Sequence, residues 1–439
     1  MDLIAPGPLR WKKEKVMKDI MSTNRHPCFN AGVKGECGRV HLPVAPKCNI
    51  KCNYCNRKYD CVNESRPGVS SAVLTPFQAL RYVEQVLEKE PRITVAGIAG
   101  PGDPFANTRE TLETIRLVKE RFPHLLLCLA SNGLGLPQCV DELGDLGATH
   151  VTITINAVDP QVGKDIYGWV RDGKIIYRGL EGAELLLDRQ LEAVRKLKEK
   201  GMLVKVNTIV VPGINDEHVV DVARKMGELG VDLHNCMPVF PNKETPFEHV
   251  EEPSPALMSA IRDRTEIHVP QMHHCTRCRA DAVGLLEEDR SEDLGGCLSA
   301  CSTLAPSAED RPRVAVATRE GILVNQHLGE AKSFQIWEQH NGEFRQVGER
   351  QAPPPGGGLK RWQKLAEILQ DCRAVLVSGV GENPGKVLSQ SGILPVEMDG
   401  FIEMGLQLVF SGGNVQSLKK RSAKSCAKGA GCGGDGSGC

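Results

Sequence analysis

HLPVAPKCNIKCNYC, residues 41–55, ends on three cysteines, Cys48, Cys52 and Cys55, spaced C-x3-C-x2-C. They follow a short β-type run, RVHLPVA (39–45), and so share one tight loop at a strand end. Three thiolates on such a loop can bind three irons of a [4Fe–4S] cube and leave the fourth iron open. A zinc loop is the plain alternative, but structural zinc sites favour paired C-x2-C elements that supply four ligands. The spacing points to the cube.

Further β-type runs follow at ITVAGIAG (93–100), LLLCLAS (125–131), THVTITI (149–155), MLVKVNTIVV (202–211) and VDLHNCMPV (231–239). Between them lie amphipathic stretches such as TPFQALRYVEQVLEKE (75–90), where Thr75 is an N-cap candidate and Pro76 suits a first turn. Strands alternating with helices predict an α/β fold, parallel βα units curled into a full or partial TIM barrel. Chemistry in such barrels sits on the loops after the strands. The unusual residues fall there: the Cys loop after the first strand, GPGDP (100–104) after the second, SNG (131–133) after the third.

The expected layout is an N-terminal segment at 1–37, helical and then irregular, followed by a barrel at 38–300. A polar linker at 301–312 leads to a second, smaller α/β domain at 313–420. A Gly- and Cys-rich tail at 421–439 is too polar to bury a core and is expected to be disordered. The smaller domain shows a Pro/Gly loop, APPPGGG (352–358), and a strand, AVLVSGV (374–380), between probable helices.

Net charge is −1, which implies neither a nucleic-acid nor a membrane partner. The basic residues cluster early (Lys12, Lys13, Lys15, Lys18, Arg25, Lys34), most simply as a solvated face. Seventeen cysteines need an explanation. The first twenty residues lack the apolar core of a signal peptide, and no run of about eighteen apolar residues appears. The expectation is a cytoplasmic chain whose clustered Cys and His serve metal or redox chemistry rather than disulfides. Beyond the loop, RHPCFN supplies His26 and Cys28, YDCVNES supplies Cys61, a strand carries Cys128, and HHCTRC supplies Cys275 and Cys278. Cys128 alone reads as a packing residue. Cys275 and Cys278 with His26 and Cys28 also suit a single zinc ion.

CNIKCNYC, with GIAGPGDP (97–104) one βα unit later, resembles the radical S-adenosylmethionine (SAM) superfamily. The resemblance implies that the open iron chelates the amino and carboxylate groups of SAM, whose reductive cleavage yields a 5′-deoxyadenosyl radical. It also implies SAM contacts from Gly100, Gly102 and Asp103, and from Asn132, Asn156 and Asn207 at later strand ends. The three asparagines read equally well as turn residues or helix caps.

HPCFN (26–30), HLPVAPKCNIKCNYCNRKYDCVNESRPG (41–68), GIAGPGDPFAN (97–107) and HHCTRCRADAVGLL (273–286) resemble, more narrowly, a nitrogenase cofactor-biosynthesis family of that superfamily. The second domain is similar to the NifX family of cofactor carriers. The resemblance implies a partial TIM barrel binding two additional [4Fe–4S] substrate clusters. His26, Cys28 and Cys278 would hold one, and Cys61, Cys128 and Cys275 the other. The family fuses both, with extra sulfur and a SAM-derived carbide, into the eight-iron precursor of the iron-molybdenum cofactor. Cys61, close to Cys55, would hold the methyl-accepting cluster. Glu64 would accept protons or bond SAM, and Arg66 would steady an anionic cluster; a surface salt bridge is the simpler reading of both. Implied partners are iron–sulfur donors, carrier or scaffold proteins, and an electron donor such as ferredoxin or flavodoxin. His327 is the candidate ligand of the second domain and reads equally well as a satisfied surface histidine. Two rivals stand beside this reading: a peptide maturase with auxiliary clusters, and a non-catalytic iron–sulfur scaffold.

Overall fold

A computed structural model describes residues 24–61, 68–304, 310–340 and 342–412. The expected N-terminal helix, Glu64, Arg66 and the Cys-bearing tail lie outside the described residues. The chain divides into two compact units between Thr303 and Leu304.

The first unit contains β1 (Gly38–His41), β2 (Ile50–Cys52), β3 (Ile93–Ile98), β4 (Leu126–Ser131), β5 (His150–Thr154), β6 (Tyr167–Asp172), β7 (Ile175–Tyr177), β8 (Leu203–Val210), β9 (Leu233–Pro238) and β10 (Val283–Gly284). Seven of these form one curled sheet in the order β10-β1-β3-β4-β5-β8-β9. All its neighbours are parallel except β10, which closes the edge antiparallel to β1. This is the predicted partial TIM barrel, its six parallel strands matching the six runs read from the sequence.

Helices cover the outer face. Helix Pro76–Lys89 starts in a capping box, with Thr75 and Gln78 bonding each other's backbone N–H. Its buried Ala79, Val83 and Val86 recur at helical spacing and join the layer formed by Val40, Leu127, Val151 and Val204. The strands alternate with period two. Their other face carries Arg39 and His41 on β1, Cys128 on β4, Lys205 and Asn207 on β8, and Asn235 on β9, all lining an interior cavity.

A separate three-stranded antiparallel sheet, β2-β6-β7, was not legible in the sequence. It places Cys52 opposite Tyr167 and Lys51 opposite Trp169, which braces the Cys loop.

The second, smaller unit contains β11 (Arg313–Val316), β12 (Leu323–Val324), β13 (Ser333–His340), β14 (Glu343–Gln351), β15 (Cys372–Val377), β16 (Leu394–Glu397) and β17 (Gly400–Phe401). Its main sheet runs β14-β13-β11-β15-β16, with helices Leu359–Ile368 and Glu382–Gln390 flanking β15 in sequence. Asp371, just before β15, accepts from Arg313 Nη1 at 2.6 Å and from Arg350 Nη2 at 2.7 Å. Burial alone would raise its pKa; the two guanidiniums outweigh burial and hold it at about 2. A folded-state pKa below the unfolded value of about 3.9 stabilises this unit above pH ~4 and is lost as pH falls toward 2. Acid titration should therefore show a stability loss of about 2–3 kcal/mol over that window, largely absent in Asp371→Asn. Equal acid sensitivity of the two proteins would count against the assignment.

Candidate active site

Two cavities open side by side in the half-barrel. The smaller, about 450 Å³ with its open mouth included, is lined by Cys48, Cys52, Cys55 and Cys61 together with Gly102, Asp103 and Asn132. The larger, about 650 Å³ with its open mouth included, gathers His26, Cys28, Cys128, Cys275 and Cys278. Ala99 and Ala130 line both, so the two spaces share a wall of small side chains.

The Cys loop turns through a bond from Cys55 N–H to the Cys52 carbonyl at 3.0 Å. Arg57 clasps its base, donating to the Pro46 and Pro101 carbonyls at 2.7 Å each. Gly102 packs against this loop: a Cβ there would stand 2.1 Å from the Lys47 carbonyl oxygen, so only glycine fits. Its N–H bonds the Ala45 carbonyl at 2.6 Å. Asp103 is buried and acts as a strut, accepting from Asn132 N–H at 2.6 Å, Phe105 N–H at 2.9 Å and the Ser131 hydroxyl at 3.0 Å. Asn132 Nδ2 donates to Asn49 Oδ1 at 2.7 Å and lies 3.8 Å from Cys48 Sγ. Gly100 abuts Ala280, leaving 3.0 Å for any Cβ.

Asn156 and Asn207 depart from the expected shared mouth. Asn156 is fully buried and lines neither cavity: its amide bridges the Tyr54 hydroxyl at 2.8 Å and Ile209 N–H at 2.9 Å. It holds the Cys loop to β8 instead. Asn207 lines the larger cavity, accepting from Asn235 Nδ2 at 3.2 Å. Cys61 is likewise separated from its expected partners, lining the radical-loop cavity while Cys128 and Cys275 line the other.

The larger cavity also contains residues that the sequence reading missed. His41 extends from β1 with Nδ1 2.8 Å from the Arg279 carbonyl and its ring packed over Gly97. Burial, reinforced by Arg39, lowers its pKa to about 4, so the ring is neutral and has the lone pair a metal requires. His26 is also held neutral, chiefly by burial, and its buried Nε2 has no hydrogen-bond partner. A buried imidazole nitrogen without a partner is costly unless a ligand completes it. Arg39 donates from Nε to Cys278 Sγ at 3.3 Å, and Asn235 Nδ2 lies 3.4 Å from Cys275 Sγ. Lys205 is 7% exposed on the same wall. Burial pushes the Cys28 thiol up to about 12, with Lys205 and Arg39 pulling the other way. The clue was present: charged or polar residues at alternating positions of strands whose other face is apolar.

Among the described residues no three His, Cys, Asp or Glu side chains converge tightly enough for one metal ion. A cube spreads its thiolates over separate irons, and thiols ringing an open space suit that larger group. No helix of the described residues is long and apolar enough to cross a membrane.

A half-barrel with a three-thiolate loop braced against a glycine turn defines a radical SAM enzyme, and residues 42–226 match the family model of the radical SAM superfamily. Such an enzyme works with a [4Fe–4S] cluster and SAM. Over most of its length the chain belongs to the FeMo cofactor biosynthesis protein NifB family. It is 49% identical over 422 residues to the member from Chlorobaculum tepidum, covering 95% of this chain and 99% of that protein. With the Klebsiella pneumoniae member it shares 42% identity, covering 84% of this chain and 86% of that one. Residues 311–412 match the dinitrogenase iron-molybdenum cofactor family. The protein is thus a radical SAM enzyme of FeMo-cofactor biosynthesis.

Proposed function

We propose that this enzyme fuses two [4Fe–4S] substrate clusters, with added sulfur and a SAM-derived carbide, into an eight-iron cofactor precursor. The supporting observation is the pair of abutting cavities, one lined by the Cys48–Cys55 thiols and one by four further cysteines with His26 and His41. Cys48, Cys52 and Cys55 would hold the resident cluster, which when bound supplies the electron that cleaves SAM reductively. Gly102 and Asn132 shape the space beside it for SAM. His26, Cys28, Cys128, Cys275 and Cys278, with His41, would hold the substrate clusters. Cys61 faces the SAM side and would present the methyl-accepting cluster within contact of the reacting carbon. Glu64 and Arg66 are assigned proton acceptance and cluster steadying by resemblance alone.

Iron–sulfur donors would load the barrel, and cofactor carriers would receive the product in the cytoplasm. The second unit, with exposed His327, would take part in that hand-over.

Anaerobic reconstitution with iron, sulfide and methyl-labelled SAM tests the reading. Label should remain in an acid-extractable iron–sulfur product, and Cys61→Ala should lose it. Label found only in small organic products, or in a modified peptide, would reject cluster fusion.

A further inference from the structure

The sheet that braces the Cys loop ends in an uncovered edge. Among the described residues no strand pairs with the outer side of β7. Ile175 is 58% exposed and Ile176 44%; successive strand residues face opposite ways, so both faces of the edge are apolar and bare. Arg171, Lys174 and Arg178 surround them, all exposed. Arg171 lies over the Trp169 ring at 5.5 Å. The acid in the hairpin, Asp172, faces Arg189 at 3.6 Å. An unpaired apolar edge normally carries a risk of misassociation, so its presence calls for a partner.

We propose that this edge is the docking surface for a small acidic one-electron carrier protein that reduces the cluster at Cys48, Cys52 and Cys55. The proposal rests on reading that loop as the cluster site. Adjacent strands lie ~4.8 Å apart, so β7 is about 10 Å from the β2 backbone and a partner on its outer side about 14 Å from it. The ladder crosses that gap at Val170, which is paired with Ile50 on one side and Tyr177 on the other, two residues along β2 from Cys52. One electron leaves the carrier's reduced centre and enters the resident cluster, with no bond made or broken at the surface. Charge selects the occupant. A second copy of this chain would set Arg171, Lys174 and Arg178 against their own likeness, whereas an acidic carrier meets them with opposite sign. A compact apolar centre with a cationic rim suits the small, transient interfaces of electron transfer.

The test uses the full-length, reconstituted protein, reduced either by a purified acidic flavodoxin or by dithionite. In the double variant R171E/K174E, and separately in I175S/I176S, flavodoxin-driven 5′-deoxyadenosine formation should fall about tenfold or more. Dithionite-driven formation and iron content should stay within about twofold of the unaltered protein. The flavodoxin-driven rate of the unaltered protein should also fall as salt rises. An unchanged flavodoxin-driven rate in both variants overturns the proposal. Equal loss with both reductants overturns it too, by assigning these residues to the cluster loop itself. Lost self-association with an unchanged rate would instead assign the edge to a second copy. Dithionite-driven cleavage by the unaltered protein reports separately on the cluster reading.

Discussion

Alanine at Cys48, Cys52 and Cys55 together is expected to abolish reductant-dependent SAM cleavage while leaving the larger cavity able to take iron. Only these three thiols share the short loop beneath Gly102 and Asn132, and Asn132 Nδ2 already lies 3.8 Å from Cys48 Sγ. Three thiolates with one open iron are the least a SAM-chelating cube can use. Their loss removes that cube, whereas His26, Cys28, Cys128, Cys275 and Cys278 line a different space. Iron content should fall from about twelve per chain to about eight, as expected when one of three four-iron clusters is lost. Iron analysis and 5′-deoxyadenosine measurement on matched preparations check both halves. Persistent cleavage would remove the basis for the radical assignment, and a drop to near zero iron would show that the sites are not independent.

The second large effect concerns charge. Lys205 and Arg39 are nearly buried cations in a cavity lined by thiols. Two cations on one wall draw negative charge toward it, so this cavity suits an anionic occupant such as a thiolate-bound cluster. For unit charges ~6 Å apart at an effective dielectric of ~20, the attraction is about 3 kcal/mol. Lys205→Met should therefore weaken substrate-cluster loading about a hundredfold. SAM cleavage with dithionite should continue, because the Cys48–Cys55 loop is untouched. Iron titration with parallel paramagnetic resonance separates the two sites, and unaltered loading affinity would dismiss the electrostatic role. Arg39 is a less clean probe, since its Nη1 also satisfies the Gly284 and Leu285 carbonyls at 2.6 and 2.8 Å. Its removal would leave both carbonyls without that donor, costing stability as well.

These residues mark where sequence reasoning ended. Six strand runs with intervening amphipathic helices were legible because hydrophobic periodicity is local. The strand Ile50–Cys52 was not, since three residues carry too little pattern and its partner Tyr167–Asp172 lies more than a hundred positions away. Arg39, His41 and Lys205 read along the chain as ordinary polar alternation. Only closure of the sheet turns that face inward. Asn156 also gains a contact that local spacing does not show: its amide bridges Tyr54 and Ile209.

The chain's linear order alone settles the βα alternation and the three-thiolate loop, because spacing over a few residues already constrains which groups can meet. Which distant residues meet is another matter. His26 and Cys28 come from the start of the first unit, Cys275 and Cys278 from near its end, and Cys128 from a middle strand. Curling of the sheet brings them around one cavity, places two cations on its wall and leaves Cys61 on the neighbouring side. Burial and long-range packing decide those positions, and neither is a property of local spacing.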